Sequence, residues 1–392
     1  MNFDHLVEGK YNLVWVDINI ATAPSHVTTW LETTRELRKL GWHVTLVLGG
    51  PSGQQCIQGV DVLCIPKSQR YLVGYMVFHL QFLHFVLQEW HNIDVILFHP
   101  MSAAWLIPLR FKRKVLGSKK PLLLMDTRDR DPVGGTIKNQ LRALYGTLAS
   151  WLANRWVDGQ TAITERMAKL VQIPNDQLWG IWPSGVNLEQ FFPAQEMRMW
   201  PEEGMPIRLV YIGALLHERN LLPMCEAVET VNTDKMKFEF LLYGDGDARA
   251  ELEAFAIRTN GRIKVLPPIP HEQIPFVLAQ AHVGVTSLFF TEQELFQASS
   301  PIKLFEYMAS GLPILATRMP CHSDVVGEGN YVFWMDEADK AVMEATLQLI
   351  WDSQIQLSEM GSQAANAARG WTWRASAIKL KRALEHGLEL SQ

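Results

Sequence analysis

The stretch Ser299-Ser-Pro-Ile-Lys-Leu-Phe-Glu-Tyr-Met-Ala-Ser-Gly-Leu-Pro-Ile-Leu-Ala-Thr317 decides how this chain is read. Ser299 or Ser300 suits an N-cap, and Pro301 suits a first helical position. Leu304, Phe305 and Met308 fall on one apolar face at helical spacing. Gly311 stops the helix, Pro313 follows, and Ile314-Leu315-Ala316 reads as a short buried strand. A helix thus starts in a small-residue loop and feeds a strand. Such a start leaves backbone N–H groups unpaired at the positive end of a dipole, which suits a phosphate. The dipole disfavours Lys303 in the first turn, and an anionic ligand would relieve that conflict. Glu306, one turn on, can accept from the paired hydroxyls of a ribose. An ordinary amphipathic helix with solvated charges accounts for the same residues, so the motif alone leaves both readings open.

Working outward, the second half repeats strand and helix. Ile207-Arg-Leu-Val-Tyr-Ile runs into Gly213, and a polar loop carrying Arg219 opens a helix that ends near residue 231. Strand, glycine, loop and helix start again suit a phosphate, and the Arg219 fork could grip a diphosphate. Strands follow at 238–243, 263–269 and 283–288, with ends converging on Gly213, Pro268–Pro270 and 299–306. Asp245-Gly-Asp247 and Asp129-Arg-Asp131 match a short metal-binding pattern. A glycine turn capping a helix explains the first, and no metal is expected.

The first half opens with the strand Tyr11–Val16, a loop to His26, a helix at about 27–40 closed by Gly41, and the strand 43–48. That is a βαβ unit, so this half is expected to be a parallel sheet with helices on both faces. Loops at the carboxyl ends of such strands hold ligands, which makes Ser25 and His26 substrate-binding candidates or, equally, a helix cap with an exposed histidine. Residues 71–90 are almost continuously apolar, but His79, Gln81, His84 and Gln88 would be costly in lipid, so a buried helix is expected. Arg110, Lys112, Arg113, Lys114, Lys119 and Lys120 form a basic run. It reads as a solvated face or as a dock for anionic lipid headgroups. Nucleic acid is disfavoured, because stacking aromatics are not interleaved with these charges. Asp126 and Arg128 follow the buried strand 121–125, either as a salt-bridged loop or as a site.

A chain of 392 residues accommodates two domains, and 48% hydrophobic with 20% charged residues is an ordinary globular balance. Residues 1–200 carry 20 Lys/Arg against 16 Asp/Glu, whereas the remainder carries 16 against 25, as expected of two halves with different surroundings. Pro193, Pro201, Gly204 and Pro206 read as a linker. Four cysteines without ligand spacing suit a reducing compartment, and the opening residues lack a basic-then-apolar signal, which points to the cytoplasm.

Together these features resemble the retaining glycosyltransferases of the two-Rossmann (GT-B) fold, particularly the large family 4 group. The residues that carry the resemblance are Ser300–Ile314, Gly213–Ala227, Gly244-Asp-Gly246, Pro183–Asn187 with Phe191, and the tryptophans before the last helix. It implies an α/β protein of two Rossmann-like doubly wound domains facing a cleft. Residues 1–192 would bind acceptor, 193–206 would link, 207–372 would bind a nucleoside-diphosphate sugar, and 373–392 would form a helix crossing back to the first domain. Glu306 would hold the ribose, Gly213, Ser299, Ser300, Pro301 and Ile302 would approach the donor, and Arg219 and Lys303 would take the diphosphate. Those two cations would serve catalysis; beside what the resemblance implies, Asp126 is a catalytic candidate and Ser25, His26 and Arg128 are acceptor-side candidates from their place at strand ends. The nucleotide sugar is then a substrate, and neither cofactor nor metal is called for. Ala298 stands where the family commonly has a second glutamate, eight positions before Glu306. The resemblance implies retaining transfer to a carbohydrate or lipid-linked acceptor, in cell-surface polysaccharide or glycolipid synthesis. The opening residues and the cysteines point to cytoplasmic residence, and the basic run 110–120, where it is a lipid dock rather than a solvated face, to peripheral contact at the inner membrane face. A silent partner subunit and a nucleotide-sugar epimerase of the same architecture remain as alternatives.

Overall fold

The computed structural model describes residues 10–20, 24–67, 71–129, 137–287, 297–337 and 339–391; the side chains of residues 20, 24–26, 71, 72 and 137–139 are outside that description. The chain divides into two compact units, one of residues 1–184 with 373–392, the other of residues 185–372.

The first unit is built on strands β1 (Tyr11–Ile20), β2 (Trp42–Gly49), β3 (Gly53–Ile57), β4 (Val60–Ile65), β5 (Val95–Phe98), β6 (Leu122–Thr127), β7 (Gly159–Ala162) and β8 (Leu178–Ile181). Their order in the sheet is β3-β4-β2-β1-β5-β6-β7-β8, parallel except for the β3–β4 pair. Strands buried on both faces read as continuous apolar runs, as Val95–Phe98 and Leu122–Met125 do. The β3–β4 hairpin escapes the sequence reading because its turn is Gln58-Gly59, both at positive φ (48° and 76°), and β3 alternates polar residues at an edge.

Four of this unit's helices matter below: α1 (Pro24–Lys39), α2 (Tyr71–Gln88), α3 (Leu109–Val115) and α4 (Ile137–Trp156). The expectation of a buried helix at 71–90 holds for one face only. Phe78, His79, Phe82 and Val86 are inside, whereas Val73, Met76, Leu80 and Leu87 are exposed. Buried His79 is satisfied by the Tyr75 carbonyl and the Ser102 hydroxyl, so a polar residue in an apolar helix carries no unmet hydrogen bond. No helix among the described residues is long and apolar enough to cross a membrane.

The second unit holds β9 (Ile207–Ile212), β10 (Phe238–Tyr243), β11 (Ile263–Leu266), β12 (Val283–Thr286), β13 (Ile314–Thr317) and β14 (Val332–Met335), in the order β11-β10-β9-β12-β13-β14, all parallel. Helices α5 (Leu221–Val231) and α6 (Ile302–Ala309) follow β9 and precede β13. Residues 193–206 lie within this unit, where a linker is read from the sequence. Pro193–Met197 is helical, and buried Arg198 donates to the carbonyls of Leu278, Ala281, Ser310 and Gly311 at 2.7–2.8 Å. The prolines and glycines that suggest a tether instead bend the chain around that guanidinium.

The last helix, α7 (Trp373–Leu390), packs on α1 and β8 of the first unit, as its expected crossing back requires. Leu380, Leu384 and Leu388 enter the core with Leu13, Trp15 and Trp182. Each leucine buried there stabilises the unit by about 2 kcal/mol.

Candidate functional site

Helix α6 begins one residue later than the sequence suggests. Pro301 is the N-cap, with extended ψ of 113°, and no side chain caps the helix. Over this end lies the turn after β9. Gly213 has φ of 144°, and a Cβ there would come 2.8 Å from the Lys303 Nζ. The neighbouring turn is as tight, since a Cβ on Gly244 would meet the Gly213 carbonyl oxygen at 1.9 Å. Both positions demand glycine because backbone and a cation pack where a side chain would stand.

Lys303 extends its ammonium over the Tyr211 ring, 3.8 Å from the centroid. Burial, then the Arg219 guanidinium, holds Lys303 well below the usual lysine range, and Glu306 counteracts them in part. Arg219 closes a short 3-10 turn, His217–Arg219, that follows Gly213, and the helix starts only at Leu221, after left-handed Asn220. The Arg219 carbonyl accepts from Ser287 at 2.8 Å, and its buried Nε has no hydrogen-bond partner. Among the described residues neither cation has a carboxylate within ion-pair distance. Two adjacent cations with no ion-paired carboxylate among the described residues, beside a helix start, suit a multiply charged anion.

Glu306, on α6, is buried and meets His271 Nε2 at 3.0 Å through Oε1. Gln190 donates to the His271 carbonyl at 3.3 Å, and Phe191 packs edge-on against the imidazole at 5.7 Å. This holds the Oε1 of Glu306 by protein. His271 and Gln190 are absent from the sequence-derived site. The only available signal was the position of His271 directly after the Pro268–Pro270 strand end. Ala298 is buried, and Ser300 lies nearly so before the helix start. The metal-like pair is accounted for locally: Asp245 accepts from the Gly246 amide and Asp247 from the His217 amide. Asp131 of the other pair lies outside the described residues.

In the first unit the candidates part company. Asp126 is buried under β6, and its Oδ1 accepts from Thr161 at 2.6 Å and Trp182 Nε1 at 2.8 Å. Arg128 stacks on the Trp182 ring at 3.8 Å and donates to the Trp182 carbonyl. These two thus hold β6, β7 and the segment after β8 together, the salt-bridged-loop alternative. Ser25 and His26 fall in the first turn of α1, with side chains outside the description. At the carboxyl ends of β1, β5 and β6 lies a cavity of about 200 Å³, lined by Asn19, Lys67, His99, Asp129 and Arg142. His99 Nε2 meets Asp129 Oδ1 at 2.8 Å, and its Nδ1 accepts from the Met101 amide. Of the basic run, Arg113 forms a bidentate pair with Asp158 at 2.6 Å and Lys120 pairs with Asp94 at 2.6 Å. Arg113 is thus largely buried in its ion pair, whereas Lys120 keeps a partly exposed side chain.

Comparison with known proteins bears on the fold and the family. Residues 206–352 match the family model described as Glycosyl transferases group 1. Among curated proteins, the 2-deoxystreptamine glucosyltransferase of Streptomyces kanamyceticus is 26% identical over 206 residues, 49% of this chain and 51% of that protein. The D-inositol 3-phosphate glycosyltransferase of Corynebacterium efficiens is 27% identical over 127 residues, 32% of this chain and 28% of its own length. The chain thus spans about half the length of the first relative and less of the second. Among solved structures, sucrose-phosphate synthase from Thermosynechococcus elongatus superposes with a TM-score of 0.75 at 14% identity, covering 98% of this chain and all of the other. Anabaena HepE in complex with UDP-glucose gives 0.70 at 12% identity, covering 98% of this chain and all of the other. The protein has the two-Rossmann GT-B fold. Its residues 206–352 match the model of the glycosyl transferases group 1 family, the group that the sequence resembles.

Proposed function

We propose that the protein is a retaining glycosyltransferase that moves a hexosyl group from a nucleoside-diphosphate sugar to an acceptor hydroxyl. The observation that carries this reading is the pair Arg219 and Lys303, with no ion-paired carboxylate among the described residues, at the start of α6 with Glu306 one turn away. In this reading the diphosphate lies across the two cations and the α6 amides, near Gly213, Ser299, Ser300, Pro301 and Ile302, while Glu306 accepts from the ribose. As the glycosidic bond loosens, negative charge collects on the leaving diphosphate. Preorganised cations and amides stabilise that charge most where it develops, which lowers the barrier. A phosphate oxygen of the donor takes the acceptor's proton. The cavity of Lys67, His99, Asp129 and Arg142 is the acceptor-side candidate, in place of Asp126, whose Oδ1 is taken by Thr161 and Trp182; Arg128 keeps a buried Nη2 with no hydrogen-bond partner. An acceptor from polysaccharide or glycolipid assembly suits this reading.

Calorimetry with UDP-glucose, the ligand named for the Anabaena structure, is the first test. Arg219→Ala and Glu306→Ala are each expected to weaken binding at least about tenfold, the loss of a charge-assisted hydrogen bond. GDP- and ADP-glucose in the same titration report the base. Unchanged affinity in both variants for every nucleotide bound by the wild type sinks the assignment.

A further inference from the structure

The outward face of α4 has no counterpart in the sequence reading. Leu141, Leu144, Leu148 and Trp151 recur at three- and four-residue spacing, and each is at least half exposed. The opposite side of the helix is inside, with Ala143, Ala149 and Ala153 buried. The apolar stripe is thus not core. At the carboxyl end of α4, Trp156 packs against Phe111 of α3 with ring centroids 5.7 Å apart, and Arg110 donates to the Arg155 carbonyl. Through that contact the stripe meets exposed Phe111, Val115 and Leu116, Val115 being 86% accessible. Scattered single apolar residues on a surface need no explanation, but a run of eight across two touching helices does.

The charge around this surface has one sign. Between Asp94 and Asp126, and again between Asp131 and Asp158, the sequence contains no acidic residue. Lys114 is exposed and Arg110 and Lys112 partly so, and Arg155 lies over the Trp151 ring at 4.2 Å. We infer that this α3–α4 face docks on a bilayer containing anionic lipid, lying in its interface rather than crossing it. Tryptophan and arginine are amphipathic residues that sit at the boundary between headgroup and acyl chain, with leucines reaching below them. A second copy fits less well. A two-fold contact through this patch would set the four cations of one chain against the same four of the other. The inference is independent of the donor site, which lies in the second unit.

Vesicle flotation of the full chain tests it, with phosphatidylglycerol-containing vesicles set against phosphatidylcholine alone. The wild type is expected to float with the anionic vesicles. Leu144→Ser with Leu148→Ser and Trp151→Ser is expected to abolish flotation, with UDP-glucose affinity and melting temperature unchanged because these side chains are outside both cores. Arg110→Gln and Lys114→Gln are expected to reduce binding about fivefold for each cation removed. If the triple variant fails to fold, the charge variants and a rise in salt still read the anionic preference. Wild-type protein that ignores both vesicles overturns the inference. So does undiminished flotation of the apolar variant, or a dimer in light scattering that the same variant dissolves while no vesicle is bound.

Discussion

At the scale of single residues, His271 decides how well Glu306 is aimed. A carboxylate on a helix can rotate, and the 3.0 Å contact from Nε2 fixes one oxygen while burial removes competing water. His271→Ala is therefore expected to raise the KM for the nucleotide sugar about tenfold, with a smaller effect on kcat, and His271→Gln to recover part of it. Calorimetry and initial rates read both, and an alanine variant that binds like the wild type would reduce the pair to packing. Glu306 itself was legible in the sequence because its distance from Pro301 sets it one turn into a helix. His271 was not, because it reaches Glu306 across 35 positions from another strand end.

At the scale of elements, Arg198 shows how the second unit holds α6 in place. Its guanidinium spans the carbonyls of Ser310 and Gly311 at the end of that helix and those of Leu278 and Ala281 beside β12. Arg198→Ala would remove the guanidinium donors from the Ala281, Ser310 and Gly311 carbonyls and one of those to Leu278, which keeps the Ala281 amide, a cost of about 3 kcal/mol or more. Arg198→Lys would satisfy fewer of them, because an ammonium lacks the planar fork. Chemical denaturation should show the loss directly, and a midpoint within error of the wild type would contradict it. The proline- and glycine-rich run that contains Arg198 reads as a tether from composition alone. Composition cannot report that one arginine within it is the centre of a hydrogen-bond set.

Across the whole molecule, three buried histidines set the response to acid. Burial, the largest influence on each, pushes His79, His282 and His322 down to about 4, with the Arg208 charge adding at His282. Each accepts or donates within the fold as a neutral ring, His322 between Thr286 and the Thr317 carbonyl. Unfolded histidine titrates near 6.5, so between that pH and about 4 the unfolded chain binds more protons. Their stabilising contribution is complete above 6.5 and is lost as pH falls through the window. The apparent Tm is expected to drop progressively from pH 7 to pH 5, and His79→Phe or His322→Asn to flatten the slope. A flat profile for the wild type over that range would contradict the neutral assignment.

Local patterning alone determined the two parallel sheets, the helix and strand at 302–317, and the glycine turns, since each is written in residues a few positions apart. The same is true of Arg219, Lys303 and Glu306, which stand at fixed offsets from a strand end or a helix start. Only the tertiary structure decided that Asp126 and Arg128 brace Trp182, that Gln190 and His271 stand behind Glu306, and that the stripe on α4 faces outward. An apolar period shows that a helix has two faces. Which face is covered depends on what the rest of the chain brings against it.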